Sequence, residues 1–510
     1  MTAVSDVLLS VDPRTGTAES AGVTATSSET VAEACEAACA AYPVLMAAGR
    51  TSRAGLLEEI ATRLEARGER IVAAADRETA LGAVRLRGEL VRTCYQLRMF
   101  AQVIVEGSYL EAVIDHAGEN PVGATPDLRS LLVPIGPVAV FGASNFPLAF
   151  SVPGGDTAAA LAAGCPVVVK AHSSHLRTSA LCAQAISEAV AARGLPAGVF
   201  GVVYGQQAGI DLVTHPDITA VAFTGGHGGG AALRAAIATR SDPIPFYGEL
   251  GSVNPLIVTP AAAADRPEAL GAGLVESATL GGGQFCTKPG LALIPGGADG
   301  DAVLDAIDSA LTVRAPQVLL NEGIARTYAD RAPVLSTAGA DTITGRTTAQ
   351  DEPGFAAAAR AIVVDAADLT DILLEECFGP LFVVVRYRDD AELHGVLTRL
   401  PGSLAAAIHG GAGADPVRDA AAAVLGQRSG RVLFDGYPTG VAVSWAQHHG
   451  GPWPATNTQF TSVGATSIRR FLRPLAFQSA PEQLLPEELR DGPAGVPRRV
   501  DGRLVLPDDY

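Results

Sequence analysis

Cys286 ends a glycine-rich approach, Gly281-Gly282-Gly283-Gln284-Phe285-Cys286-Thr287-Lys288. Glycine lets backbone come close to a bound group without a Cβ clash. Backbone N–H groups beside such a cysteine can point at a developing oxyanion. A thiolate there is a nucleophile, provided its surroundings lower the thiol pKa. A single cysteine is more often a small buried hydrophobe, so the rest of the chain has to decide. Four further places carry chemistry: Asn145, Lys170, the run Gly225-Gly226-His227-Gly228-Gly229-Gly230, and Glu249 within Gly248-Glu249-Leu250-Gly251-Ser252. Taken singly these are a turn residue, a surface charge, a tight turn and a loop carboxylate. Together they sit at the ends of four predicted strands.

The elements that must hold them follow from the apolar pattern. Residues 28–115 read as helices rich in Ala, Glu, Arg and Leu, with apolar residues three to four apart. From residue 131 the pattern becomes strand, turn and helix. Strands are predicted at 138–142, 167–170, 199–204 and 220–224, and helices at 157–163, 174–193 and 231–239. Fully apolar strands alternating with helices imply a parallel sheet covered on both faces, which binds ligands beyond the carboxyl ends of its strands. A second α/β stretch runs from about 256 to 445, with strands at 381–385 and 432–435. The tail from about 480 reads as an arm on a partner subunit or a loose terminus.

Composition narrows the function. The chain has 510 residues, 48% hydrophobic and 18% charged, with a net charge of −17. Such an excess of negative charge repels phosphate, which argues against nucleic acid and anionic membranes as partners. Seven cysteines, an odd number with no disulfide-framework density, fit a reducing compartment. Cys35 and Cys39, four apart, read as one core face of a helix. The nine histidines form no metal-site spacing, so no metal is expected. The first residues lack a signal-peptide pattern, and the apolar runs are too short to span a bilayer, so a cytoplasmic location is expected.

With these residues in place, the chain resembles the NAD(P)-dependent aldehyde dehydrogenase superfamily along nearly its whole length. The matching stretches, in family order, are FGASNFP at 141–147, VVVKA at 167–171, FTGGHGGG at 223–230, GELGSVNP at 248–255, GQFCT at 283–287 and EECFGP at 375–380. KAHSSH at 170–175 and HGGPWPAT at 449–456 are similar to the 2,5-dioxovalerate (α-ketoglutaric semialdehyde) dehydrogenase branch, which includes enzymes labelled fatty-aldehyde dehydrogenases. The resemblance implies an α/β fold: a parallel-sheet, Rossmann-type cofactor domain (1–117 and 137–259), an α/β catalytic domain (260–445), and an oligomerisation hairpin with the C-terminal region (118–136 and 446–510). A homodimer or homotetramer is expected with it.

The resemblance also assigns roles. Cys286 attacks the aldehyde, the Asn145 amide and the Cys286 N–H hold the oxyanion, and Glu249 activates water against the thioester. Lys170 reaches the adenosine half of the cofactor, and Gly225 and Gly230 let backbone approach the pyrophosphate. Glu376 binds the nicotinamide ribose, with Phe378 beside the ring. Ser173 stands where NAD-preferring relatives commonly carry a glutamate. A hydroxyl in place of a carboxylate admits a 2′-phosphate, so NADP is expected, with NAD also used; His172 and His175 lie nearby. The chain departs from the family at Gly226, usually serine, and at Ser144, usually tryptophan. The implied reaction is oxidation of a small-molecule aldehyde, 2,5-dioxopentanoate to 2-oxoglutarate, with Arg469, Arg470 or Arg473 as candidates for the remote carboxylate. Alternatives are a fatty or aromatic aldehyde, a CoA-acylating relative, which Glu249 argues against, and a catalytically silent binding protein on the same scaffold.

Overall fold

A computed structural model describes residues 7–347 and 353–507. A two-stranded sheet, Val7–Asp12 with Thr17–Thr24, opens the chain's described part, and four helices, Ser28–Ala47, Gly49–Ala66, Gly68–Thr79 and Ala83–Glu106, follow it. Ser27 caps the first, its side chain accepting from the Thr30 N–H. Within that helix Cys35 is buried but Cys39 is exposed. The pair therefore does not share the expected core face, because the helix packs along the narrower stripe of Val31, Cys35, Ala38, Ala41 and Leu45.

The first large sheet has five parallel strands in the order Phe246–Glu249, Ala220–Thr224, Val138–Phe141, Val167–Lys170, Phe200–Val203. Alternate residues feed cores on opposite faces: Val138, Val140, Val167 and Val169 on one, Ala139, Phe141, Val168 and Val221 on the other. That is why these strands read as unbroken apolar runs. The strand order reverses between Val138–Phe141 and Ala220–Thr224, opening a crevice at their carboxyl ends.

The second sheet has seven strands, ordered Asp341–Thr344, Arg360–Asp365, Leu381–Tyr387, Leu291–Pro295, Pro255–Val258, Ala406–His409, Val432–Phe434. Only the first pair is antiparallel. A third sheet joins Leu472–Gln478, Leu128–Pro134, Ala112–Asp115, Arg498–Val500 and Arg503–Val505. The tail is thus neither loose nor free of its own chain: Arg498–Val500 pairs with Ala112–Asp115. A small hairpin, Gly118–Asn120 with Gly123–Thr125, projects beside this sheet. Among the described residues no single helix is long and apolar enough to cross a membrane.

The helix expected at 231–239 begins four residues earlier and spans His227–Ile237. Three glycines, poor helix formers, therefore lie in its first turns rather than in a loop. Packing overrides propensity at Gly230, where a Cβ would meet the Leu250 side chain at 2.7 Å.

Candidate active site

The loop carrying the nucleophile candidate is built by backbone that only glycine adopts easily. Gly281, Gly282 and Gly283 have φ of 58°, 71° and 65°. A Cβ on Gly283 would lie 2.1 Å from the Gly379 carbonyl oxygen. Asn254 holds the far side of the loop, its amide donating to the carbonyls of Cys286 (2.7 Å) and Lys288 (3.0 Å). Lys288 is buried, and its ammonium donates to the carbonyls of Cys377, Gly379 and Leu381 at 2.7, 2.9 and 2.6 Å. One lysine thereby ties the Cys286 loop to the segment bearing Glu376 and Phe378.

Glu249 ends its strand, buried, at the crevice. Its Oε2 accepts from the Ser462 hydroxyl at 2.6 Å, and its Oε1 lies 2.8 Å from Nε2 of His449. The Cys286 sulfur lies 3.6 Å from that same nitrogen. The ligating atoms of Glu249, Cys286 and His449 all fall within 4.8 Å of one another. Burial pushes the Glu249 carboxyl up, but the nearby imidazole, the Ser462 hydroxyl and the Cys286 thiol outweigh it and leave the carboxyl below its ordinary range. Burial, then the charge and hydrogen bond of Glu249, push the Cys286 thiol well above the usual value. The expectation of a pKa-lowering setting is thus reversed. The proton rests on sulfur, with a carboxylate beside it to receive it when attack occurs. Asn145 is also buried at this end, its amide donating to the Gln284 carbonyl at 2.8 Å, two residues from the sulfur.

Cys286, Glu249 and Asn145 close one end of a cleft of about 670 Å³ that runs along the strand ends. Lys170, His172, Gly225, Gly226, Gly229, Glu376 and Phe378 line it. Burial lowers the Lys170 ammonium, and burial raises the Glu376 carboxyl to about 7, partly offset by Lys288 and the Ser252 N–H. The start of helix His227–Ile237 presents its unpaired N–H groups at the glycine turn, as an anion requires. Two sequence assignments are displaced. Ser173 is exposed and absent from the cleft lining, where His172 stands instead. Gly230 faces the sheet, so its small size serves helix–sheet packing, while Gly225 and Gly229 line the cleft.

Two of the three arginines expected near the substrate are committed to acids elsewhere. Arg470 is buried against Asp156 at 2.7 Å, Arg469 pairs with Glu111 at 2.5 Å, and Arg473 is exposed. His449 and Ser462 are the residues sequence reasoning missed. Both lie in the 446–510 stretch assigned to assembly, and His449 stood only as the first letter of a branch motif. Its pairing with Glu249 spans 200 positions.

Comparison with known proteins decides the family. The aldehyde dehydrogenase family profile matches residues 3–451. The chain belongs to the aldehyde dehydrogenase family. Among curated family members, it is 45% identical over 480 residues to alpha-ketoglutaric semialdehyde dehydrogenase 2 of Azospirillum brasilense, covering 93% of this chain and 91% of that one. It is 42% identical over 491 residues to alpha-ketoglutaric semialdehyde dehydrogenase of Acinetobacter baylyi, covering 94% and 93%. The fold matches that of aldehyde dehydrogenase C of Pseudomonas syringae, a mutant form complexed with NAD+ and octanal, with a TM-score of 0.78 at 24% identity over 94% of this chain and 95% of that one. As an aldehyde dehydrogenase the chain is an NAD(P)-dependent oxidoreductase acting on a small aldehyde. The glycine turn, Lys170, Glu376 and Phe378 lining one cleft that ends at a sulfur fit a dinucleotide laid along it.

Proposed function

We propose that this aldehyde dehydrogenase oxidises 2,5-dioxopentanoate to 2-oxoglutarate, with NADP preferred over NAD. The substrate follows from the two curated relatives at 45% and 42% identity across nearly the whole chain. The observation that carries the chemistry is the close contact of half-buried Cys286 with buried Glu249 and His449. Glu249 accepts the thiol proton as sulfur attacks the aldehyde carbon, forming a thiohemiacetal. The Asn145 amide exchanges its Gln284 carbonyl for the oxyanion, joined by the Cys286 N–H. The bound nicotinamide supplies the hydride acceptor. Once Glu249 has passed the thiol proton on to solvent, it deprotonates the water that hydrolyses the resulting thioester, and His449 and Ser462 hold that carboxylate in place. Lys170 and the glycine turn bind the adenosine and phosphate half, and Glu376 the second ribose.

NADP preference is supported by the cleft lining. Its only carboxylates among the described residues are Glu249 and Glu376, which leaves no acidic side chain among those lining it near Lys170 and His172 to repel a 2′-phosphate. We further infer a cytoplasmic homo-oligomer, assembled through the 118–136 hairpin and the sheet built with the C-terminal region, a reading supported by seven free cysteines and two open sheet edges.

The test is a panel of 2,5-dioxopentanoate, fatty aldehydes and benzaldehyde with each cofactor, with and without CoA. The expected result is highest kcat/KM for 2,5-dioxopentanoate with NADP, free 2-oxoglutarate as product, and no turnover by Cys286→Ala. A better fatty or aromatic substrate, a CoA-dependent product, or a higher kcat/KM with NAD overturns the corresponding part.

A further inference from the structure

Two arginines beside the active site form no ion pair among the described residues. Arg92, on helix Ala83–Glu106, stacks its guanidinium 5.0 Å from the Phe150 ring centre. The Phe150 ring lies 6.4 Å from that of His449, whose Nε2 is 3.6 Å from the Cys286 sulfur. Arg92 Nη2 donates weakly to the Val441 carbonyl at 3.4 Å, while Nη1 is buried with no partner among the described residues. Arg431 grips the same segment, donating to the carbonyls of Gly440 (2.9 Å) and Pro438 (2.7 Å), and its Nε is likewise buried and unpartnered. Both are close enough to Cys286 for a thiolate formed there to act on them.

The nearest acid on the same helix does not satisfy Arg92. Glu89 turns Oε1 to the N–H groups of Leu148 and Ala149 at 2.8 and 2.9 Å, and its buried Oε2 takes no hydrogen bond among the described residues, so it offers Arg92 charge without a bond. Acids outnumber basic residues 54 to 37 in this chain, so unpaired buried guanidinium nitrogens are not for want of carboxylates. An unpartnered buried donor carries a desolvation cost that a ligand anion relieves. Arg92, Arg431, Phe146, Phe150 and Phe285 are all absent from the cofactor cleft lining. Phe285 adjoins Cys286 in the chain and meets the Phe146 ring edge-on at 5.1 Å, while Arg92 reaches the same centre through Phe150 and His449.

We propose that Arg92, assisted by Arg431, binds the carboxylate of an ω-oxo acid and makes the enzyme selective for aldehydes bearing a terminal carboxylate. The proposal deepens the substrate reading above and rests on it. In 2,5-dioxopentanoate the carboxylate stands four C–C bonds of about 1.5 Å from the aldehyde carbon. The guanidinium fork suits a planar carboxylate, and the lost contact would be charge-assisted.

The experiment compares 2,5-dioxopentanoate, 5-oxopentanoate and pentanal in wild type, Arg92→Met, Arg92→Lys and Arg431→Met. In Arg92→Met the kcat/KM ratio of each oxo acid to pentanal should fall about tenfold to a hundredfold, mainly through KM. Arg92→Lys should recover part of the ratio, and Arg431→Met should lower it less. A loss shared equally by acids and pentanal overturns the proposal, since it marks a structural role. Inhibition of wild-type pentanal oxidation by 2-oxoglutarate and by its dimethyl ester gives a check that needs no variant to fold. The diacid should bind at least about tenfold more tightly, and equal inhibition overturns the proposal. Should wild type leave 2,5-dioxopentanoate unoxidised, the substrate reading fails, while the 5-oxopentanoate to pentanal ratio still decides the role of Arg92.

Discussion

Oε1 of Glu249 and Nε2 of His449 face each other across 2.8 Å, both side chains buried, and that one imidazole nitrogen also faces the Cys286 sulfur at 3.6 Å. A single proton on Nε2 serves only one of these neighbours at a time. When it is directed to the carboxylate, the thiol must give its own proton to Glu249 and not to the histidine. The three side chains therefore form a coupled acid–base unit, and changes in any one should be read in the other two.

Removing the carboxylate should ease ionisation of the thiol. Glu249 raises the Cys286 pKa by charge and by hydrogen bond, on top of burial. In Glu249→Gln the iodoacetamide alkylation profile of Cys286 should move to lower pH. The same variant should give a burst of reduced cofactor followed by slow turnover, because thioester hydrolysis loses its base. A profile that moves to higher pH contradicts the electrostatic account.

His449→Ala should do the opposite to Glu249. The imidazole helps hold that carboxyl down, so its loss lets burial push the pKa up. The acidic limb of kcat against pH should then shift to higher pH and kcat at neutral pH should fall. An unmoved acidic limb would detach Glu249 from the rate-limiting proton transfer.

Asn145→Ala should lower kcat by about a hundredfold to a thousandfold, the cost of one oxyanion donor. Its amide is already aimed at the loop, donating to the Gln284 carbonyl at 2.8 Å. Replacing Cys165 or Cys377, both buried away from Glu249, should leave turnover in place. A comparable loss there would move the nucleophile.

Lys288→Met should weaken both fold and cofactor binding. It strands three carbonyls that now accept from one ammonium at 2.6 to 2.9 Å. A loss of about 3 kcal/mol or more is expected, at about 1 kcal/mol or more per stranded acceptor. Thermal unfolding should register it, and KM for the dinucleotide should rise as Glu376 and Phe378 lose their anchor.

Glu376 should make NAD binding pH-dependent. Burial raises its carboxyl to about 7, and only the ionised form accepts from both ribose hydroxyls. Affinity should therefore rise as pH increases from about 6 to about 8, on either side of that value, measured by fluorescence titration with NAD to avoid the 2′-phosphate. Glu376→Gln should flatten the dependence. A wild-type affinity that falls over this range would remove Glu376 from the ribose.

Residues near one another along the chain were legible without coordinates. Val138–Phe141, Val167–Lys170 and Ala220–Thr224 announce a doubly covered sheet, because burial on both faces leaves apolar side chains at every position. Cys286 behind three glycines and Glu249 at a strand end followed from local pattern and family resemblance. Only tertiary structure could seat His449 and Ser462 on Glu249 or leave Arg92 without an ion pair among the described residues. It also turned Gly230 toward Leu250 and gave Arg470 to Asp156. Periodicity records whether a residue faces the core. It carries no record of which distant side chain shares that core, because such pairings arise from chain crossings hundreds of positions apart.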